Sequence, residues 1–293
     1  MAAFSPPRLR RSVLFLPGSN PRALEKARTL PADGLIFDLE DAVAPDAKDL
    51  ARAAVAAALT AGGYAPRELI LRVNRLDSAW GHADLAAAAR LPLDAVLLPK
   101  VENAERVRLT LDLLDAMGAP PELAIWAMVE TPLGVLAAAD TAAASQRLAA
   151  LVLGTSDLTA DLHVREAKDR LPLLAALGLV LLAARAHGKA VLDGVQLDLS
   201  DADGFAAACR QGREFGFDGK TLIHPQQIAP ANAAFSPTAA EVAQARAIIA
   251  AYTDAAASGK GAIRVGGRLV EALHVADARR ILALADAIAA RGG

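Results

Sequence analysis

Eight short apolar runs, separated by longer alanine- and leucine-rich stretches, constrain this chain more than any other feature. The runs are Ser12–Leu16, Gly34–Leu39, Leu69–Val73, Ala95–Leu98, Ala124–Val129, Ala150–Gly154, Ala190–Val195 and Gly219–Ile223. Each has the length and residue types of a buried strand. Segments such as Pro21–Leu30, Lys48–Ala61, Asp84–Ala89, Ala104–Met117 and Leu171–His187 lie between them and read as helices. Parallel strands need a crossover between them, and a helix is the usual one. Eight such units within 293 residues, with no Gly-x-Gly-x-x-Gly turn, predict one (βα)8 TIM barrel of the α/β class over a doubly wound sheet.

The pattern changes after the eighth run. Ala239–Thr253 reads as a helix and 256–261 as a hinge. Ala262–Val265 and Arg268–Val270 flank Gly266-Gly267 as a hairpin, and Val275–Ala290 closes the chain as a helix. The expected organisation is a catalytic barrel over 1–235 and a lid or oligomerisation extension over 236–293. A single cysteine, Cys209, allows no intrachain disulfide and points to a reducing compartment. A net charge of −2 gives no electrostatic reason for a nucleic-acid partner. The longest apolar stretch, Leu171 to Ala186, is broken by Pro172, Gly178 and Arg185, so no membrane span is expected. With no apolar leader at the start, the chain reads as cytoplasmic.

In a barrel, the carboxyl ends of all strands open onto one face, where active sites form. Read in order, those ends carry Pro17 and Gly18; Asp38, Glu40 and Asp41; Arg72 and Asn74; Lys100 and Glu102; Glu130; Asp157; Gln196; and His224. Glu130 and Asp157 offer oxygen ligands with no sulfur or histidine beside them. That donor set suits Mg²⁺, or Mn²⁺, rather than zinc. Two carboxylates leave coordination positions for water and a chelating substrate, so the ion can act as a Lewis acid. Arg72 suits a substrate carboxylate or a developing oxyanion. Asp38, Glu40 and Asp41 can orient Arg72 or hold water on a metal.

Blander roles compete. Asp41 and Asp157 can cap helices, and Asp38 suits a buried hydrogen-bonding group. His224 before Pro225 suits a loop backbone. Lys100 and Lys220 sit near strand ends where a Schiff base is conceivable, but ion pairs with nearby acids are the simpler expectation. His82, His163, His187 and His274 lack metal-ligand spacing and read as surface groups, and Cys209 as helix packing.

The strand-end segments also resemble a known group. Arg11-Ser12-Val13-Leu14-Phe15-Leu16-Pro17-Gly18-Ser19, Phe37-Asp38-Leu39-Glu40-Asp41-Ala42-Val43 and Leu71-Arg72-Val73-Asn74 are similar to motifs of the citrate lyase β-subunit-like, HpcH–HpaI aldolase family of CoA-ester lyases. So are Leu98-Pro99-Lys100-Val101-Glu102, Val129-Glu130-Thr131-Pro132-Leu133-Gly134, Gly154-Thr155-Ser156-Asp157-Leu158 and Gly219-Lys220-Thr221-Leu222-Ile223-His224-Pro225. The resemblance implies a Mg²⁺-dependent barrel enzyme in which Glu130 and Asp157 bind the metal and Arg72 the substrate carboxylate and oxyanion. Such an enzyme cleaves a malyl-, citramalyl- or citryl-type 3-hydroxyacyl-CoA into an acyl-CoA, such as acetyl-CoA, and a 2-oxo acid. It also implies a homotrimer or homohexamer. The catalytic candidates are therefore Arg72, Glu130, Asp157, Glu40 and Glu271, and the substrate-binding ones Arg72, Glu130, Asn74 and Lys100.

Two positions depart from the family. Glu271 stands where malyl-CoA and citramalyl-CoA lyase relatives carry an Asp that reaches a neighbouring subunit. A longer acid there favours carbon–carbon cleavage over hydrolysis as the expected activity. Leu162-His163 replaces the Leu-Gly of many relatives and is expected to reshape the acyl pocket. The residues that bind CoA are not defined by the sequence: Arg8, Arg10, Arg22 and Lys26 can meet its phosphates, and solvated surface charge accounts for them equally well. The alternatives to a lyase are an acyl-CoA thioesterase on the same ligands, a Schiff-base aldolase, and a non-catalytic or carrier-dependent lyase subunit.

Overall fold

The computed structural model describes residues 8–165, 167–257 and 262–292. Eight parallel strands close into a barrel in sequence order. They are β1 (Ser12–Pro17), β2 (Gly34–Asp38), β3 (Glu68–Arg72), β4 (Ala95–Leu98), β5 (Ala124–Val129), β6 (Leu148–Leu153), β7 (Ala190–Asp193) and β8 (Gly219–Leu222). The sheet closes where Ser12 of β1 pairs with Lys220 of β8. Helices fill the crossovers: α1 (Pro21–Ala27), α2 (Lys48–Ala61), α3 (Gly81–Ala88), α4 (Ala104–Ala116), the short pair α5 (Pro132–Leu136) and α6 (Ala138–Ala143), α7 (Thr155–Asp161), α8 (Leu174–Ala186) and α9 (Ala202–Phe215). After β8 comes α10 (Ile228–Phe235). The expected (βα)8 barrel is thus the observed fold.

Side chains alternate across each strand, and the alternation sorts them into two cores. Val13, Ile36, Ile70, Ala95, Leu97, Trp126, Met128, Ala150, Val152 and Leu192 form an inner cluster that fills the barrel. The alternate residues, such as Leu14, Leu35, Phe37, Leu71, Val96 and Leu151, join the helices in a second, larger cluster. The amino-terminal end of the barrel is closed by charge pairs. Arg11 grips Asp33 through two nitrogens (2.8 and 2.9 Å), and Arg10 grips Glu68 (2.7 Å to each oxygen) while lying over the Trp126 ring. Arg10 therefore works at the end remote from the strand carboxyl termini. Of the two accounts open for this cation, the structure shows a charge pair with Glu68.

Several strands stop one or two residues short of the expected ends, for a common reason. At the carboxyl end, carboxylates take over the backbone N–H groups that sheet partners no longer reach. Asp38 accepts from Glu40 N and Ala42 N, Asp84 from Asn74 N, and Asp193 from Gly194 N. β6 likewise ends at Leu153, which places Asp157 in the first turn of α7 rather than on a strand. The helix expected from Leu171 opens as a 3₁₀ turn over Leu171–Leu173 before α8.

The chain divides into two compact units, Arg10–Phe235 and a second one that joins Ser236–Gly293 with the residues before Arg10. In the second unit, α11 (Ala239–Ala257) packs on α12 (Ala272–Ala290). Between them β9 (Ile263–Val265) pairs antiparallel with β10 (Arg268–Val270). Gly266 and Gly267 make the turn with φ of 57° and 81°, a conformation that glycine adopts without penalty. Residues 258–261 of the expected hinge lie outside the described residues. No helix among the described residues is long and apolar enough to cross a membrane.

Candidate active site

The inward register of the strands carries straight into the mouth. Asp38 follows Ile36, Arg72 follows Ile70, and Glu130 follows Met128 and Trp126, each two residues beyond an inner-core side chain. Arg72 is buried and makes a forked pair with the equally buried Asp38, Nε to Oδ1 at 2.7 Å and Nη2 to Oδ2 at 2.6 Å. Its remaining nitrogen, Nη1, lies 2.8 Å from Glu40 Oε2 and 3.1 Å from Asp41 Oδ2. The guanidinium also lies 4.9 Å from the centre of the Phe15 ring. Burial works against the Arg72 charge; Asp38, then Glu40 and Asp41, more than offset it and hold it charged. Glu40 gains less. Burial pushes its carboxyl up to about 8, with Asp41, Glu130 and Asp38 adding to the rise and Arg72 opposing it.

The loop that carries Glu40 and Asp41 is pinned from behind. Asn74 Nδ2 donates to Leu39 O (2.9 Å) and to Asp84 Oδ2 (2.7 Å), and Arg52 Nε donates to Asp84 Oδ1 at 2.7 Å. Lys48, at the start of α2, donates its ammonium to the carbonyls of Leu39 and Glu40 at 2.8 and 2.7 Å. Burial lowers its pKa, with Asp38, Glu40, Asp84 and Asp41 pulling the other way. Asn74, expected to bind substrate, has both amide hydrogens committed to this brace.

Glu130 sits directly after β5, almost wholly buried. Its Oε1 accepts the backbone N–H of Lys100 at 2.8 Å, and its Oε2 has no hydrogen-bond partner. Burial pushes this carboxyl up to about 7; the Lys100 N–H opposes the rise and the Asp157 charge adds to it. Gly154 makes room for Glu130: a β-carbon there would meet Glu130 Cβ at 2.3 Å and Oε2 at 2.5 Å. Asp157, about one-third exposed, accepts the Lys100 ammonium on Oδ1 at 2.8 Å. A cavity of about 370 Å³ opens at the mouth, lined by Asp38, Asp41, Arg72 and Asp157 together with Phe15, Met128, Gly154 and Ile223.

The other strand-end residues go elsewhere. Lys220 is buried outside the barrel wall, paired with Asp193 at 2.9 Å, and Asp193 also receives Arg170 at 2.7 Å. Both lysines considered for a Schiff base are thus ion-paired, as the simpler expectation had it. Gln196 donates to Asp201 O, and His224 Nδ1 accepts Gln226 N as the cap of a 3₁₀ turn. His163 is exposed with φ of 54°, a backbone state that glycine favours, and does not line the cavity. Cys209 is buried packing. Arg22 and Lys26 lie on the exposed side of α1. Glu271 belongs to the second unit and caps α12, where its N–H donates to His274 Nδ1 at 3.1 Å. Gly154, Lys48 and Asp84 were not among the expected site residues.

The residues present fit a divalent cation. Glu130 Oε2 is a buried carboxylate oxygen with nothing to accept from, a costly state that a cation relieves. Asp157 adds a second hard oxygen donor. Among the described residues no three or more His, Cys, Asp or Glu gather as a metal cluster. Water and substrate oxygens would complete any octahedral shell.

A profile of the HpcH/HpaI aldolase/citrate lyase family matches residues 11–225, which is most of the chain. The chain belongs to that family. Among its relatives in the family is (3S)-malyl-CoA thioesterase of Cereibacter sphaeroides strain KD131, 51% identical over 280 residues, 96% of each chain. Citrate lyase subunit beta of Leuconostoc mesenteroides subsp. cremoris is 38% identical over 285 residues, 96% of this chain and 94% of that one. Among solved structures, CitE of Mycobacterium tuberculosis in complex with magnesium, acetoacetate and coenzyme A superposes with a TM-score of 0.74 at 32% identity. That superposition covers 92% of this chain and 96% of CitE.

Proposed function

We propose that the chain is a divalent-cation-dependent thioesterase acting on a malyl-CoA-type thioester, a 3-hydroxy-dicarboxyl-CoA. The observation that carries this reading is the 51% identity to (3S)-malyl-CoA thioesterase along 96% of both chains. It reverses the order expected from Glu271: similarity along the whole chain outweighs one added methylene. Magnesium is the proposed ion, supported by the orphaned Glu130 oxygen and by the magnesium in the CitE complex. Bound between Glu130 and Asp157, it would supply Lewis acidity toward the substrate oxygens.

The protein's own groups divide the remaining work. Arg72, held charged and immobile by Asp38, faces the cavity with a fork suited to a carboxylate or to the oxyanion that forms when water attacks the thioester carbonyl. Glu40, poised near neutrality beside Arg72, is the group to take the proton from the attacking water and return it to the departing thiolate. The products are a free dicarboxylic acid and free CoA thiol. Asn74 and Lys48 fix the loop carrying Glu40. Glu271 is proposed to complete the site of a neighbouring copy in a homotrimer or homohexamer, and the protein is proposed to be cytoplasmic; the family resemblance supports both.

Carbon–carbon cleavage is the second reading, favoured by the 38% identity to citrate lyase subunit beta. There Glu40 takes the proton from the substrate 3-hydroxyl, the carbon–carbon bond breaks, and Arg72 stabilises the charge of the acyl-CoA enolate. One assay separates the two. Malyl-, citramalyl- and citryl-CoA are each incubated with enzyme and Mg²⁺, and free thiol and 2-oxo acid are measured together. Thiol without 2-oxo acid is expected. 2-Oxo acid without thiol overturns hydrolysis in favour of cleavage, and neither product from any thioester points to a carrier-dependent subunit.

A further inference from the structure

We propose that Lys100 is a resident counter-cation of the barrel mouth: its ammonium group occupies Asp157 in the metal-free protein, and a divalent cation binds by displacing it. The inference rests on the metal-site reading above.

Lys100 touches both acids at once, and by different means. Its backbone N–H donates to Glu130 Oε1 and its ammonium donates to Asp157 Oδ1, both at 2.8 Å. The residue that makes both contacts has a backbone φ of 47°, in the left-handed region that residues with a β-carbon disfavour. The next residue returns to the sheet, with Val101 N donating to Met128 O. An ordinary surface ion pair needs no such turn, because a long lysine side chain reaches an exposed acid from many backbone conformations.

Charge makes the arrangement competitive. The two carboxylates carry −2 when ionised, and the ammonium leaves −1 for an incoming divalent ion. With Lys100 in place that ion meets a half-neutralised site and a like charge at Asp157; with Lys100 swung away it meets both acids. The Lys100 side chain is about one-third exposed, so the ammonium has solvent to move into. Lys100 thus weakens metal binding and steadies the empty mouth.

The test compares wild type with Lys100→Met, Lys100→Gly, Lys100→Arg and Glu130→Gln. Mn²⁺ affinity is read from the electron paramagnetic resonance of free Mn²⁺, and Tm is measured with and without saturating Mn²⁺. Lys100→Gly guards against misfolding, since glycine adopts this φ freely. Lys100→Met and Lys100→Gly are expected to bind Mn²⁺ about two- to fivefold more tightly than wild type. Lys100→Met should lose roughly 1–3 °C of Tm without metal and recover it with metal. Lys100→Arg, which keeps the cation, should bind like wild type. Equal or weaker Mn²⁺ binding by both neutral variants, or a Tm loss of the same size with and without Mn²⁺, overturns the counter-cation. If Glu130→Gln binds Mn²⁺ like wild type, the metal-site reading itself falls and takes this inference with it.

Discussion

Replacing Glu130 by glutamine should stabilise the metal-free protein at alkaline pH while abolishing its response to metal. The carboxyl is buried, one of its oxygens is unpartnered, and its pKa is pushed up from 4.5 to about 7. Below about pH 4.5 the group is protonated in folded and unfolded chains alike, so its contribution to stability is fully present. As pH rises toward 7 the unfolded chain loses this proton before the folded one does, and wild-type stability falls. Above the folded pKa the loss is complete. At about 1.36 kcal/mol per pH unit, the rise from 4.5 to about 7 amounts to roughly 3 kcal/mol. Glutamine carries no such dependence. Its carbonyl can accept the Lys100 N–H, and its amide nitrogen takes the place of Oε2. The unpartnered amide costs about 1–3 kcal/mol, but by the same amount at every pH. The diagnostic quantity is therefore the change with pH. Measured in EDTA by calorimetry, the Tm of Glu130→Gln relative to wild type should rise by on the order of 6 °C between pH 5 and pH 8.5. Saturating Mg²⁺ should raise the wild-type Tm at pH 8.5 and leave the variant unmoved. A Tm difference independent of pH would refute the argument, because Glu130 would then ionise as an ordinary exposed acid.

Three further substitutions probe the rest of the site. Gly154→Ala places a β-carbon 2.3 Å from Glu130 Cβ; overpacking should cost about 1–3 kcal/mol in urea denaturation and weaken Mg²⁺ binding in titration calorimetry, and unchanged affinity would mean Glu130 does not hold the ion. Arg72→Lys keeps the charge but loses the fork on Asp38, so stability should drop by about 1–3 kcal/mol and thioester turnover should fall to background; retained turnover in a folded variant rules out Arg72 as the oxyanion and carboxylate partner. Asn74→Ala removes the hydrogen bonds to Leu39 O and Asp84, which should cost about 1–3 kcal/mol and lower kcat more than it raises KM, whereas a rise in KM alone would return Asn74 to direct substrate binding.

The barrel was legible in the sequence because its signal is repeated: strand-length apolar runs and alternating burial recur around the whole sheet. The mouth was legible where strand alternation runs to the strand's last residue, as at Asp38 and Arg72, or one residue beyond it, as at Glu130. What escaped depends on backbone detail or on tertiary partners. Asp157 looked like a strand end because Leu151-Val152-Leu153-Gly154 is apolar, yet the chain turns into α7 before reaching it. Asn74 reads as a polar strand-end group, and only the fold shows Leu39 O and Asp84 absorbing it. Gly154 is one glycine among 21 in the chain, and its function is the volume it leaves for Glu130. Lys100 was visible as an ion-pairing lysine, but its left-handed backbone was not, since nothing in Pro99-Lys100-Val101 demands it.

The central claim is that Glu130 and Asp157 hold a divalent cation at the carboxyl end of the barrel. Crystals grown or soaked with Mn²⁺ and measured for anomalous scattering test it most directly. The account predicts one strong peak within coordinating distance of Glu130 Oε2 and an Asp157 oxygen, lost in Glu130→Gln. A peak elsewhere in the mouth, or no peak at Mn²⁺ concentrations that support full activity, would contradict it.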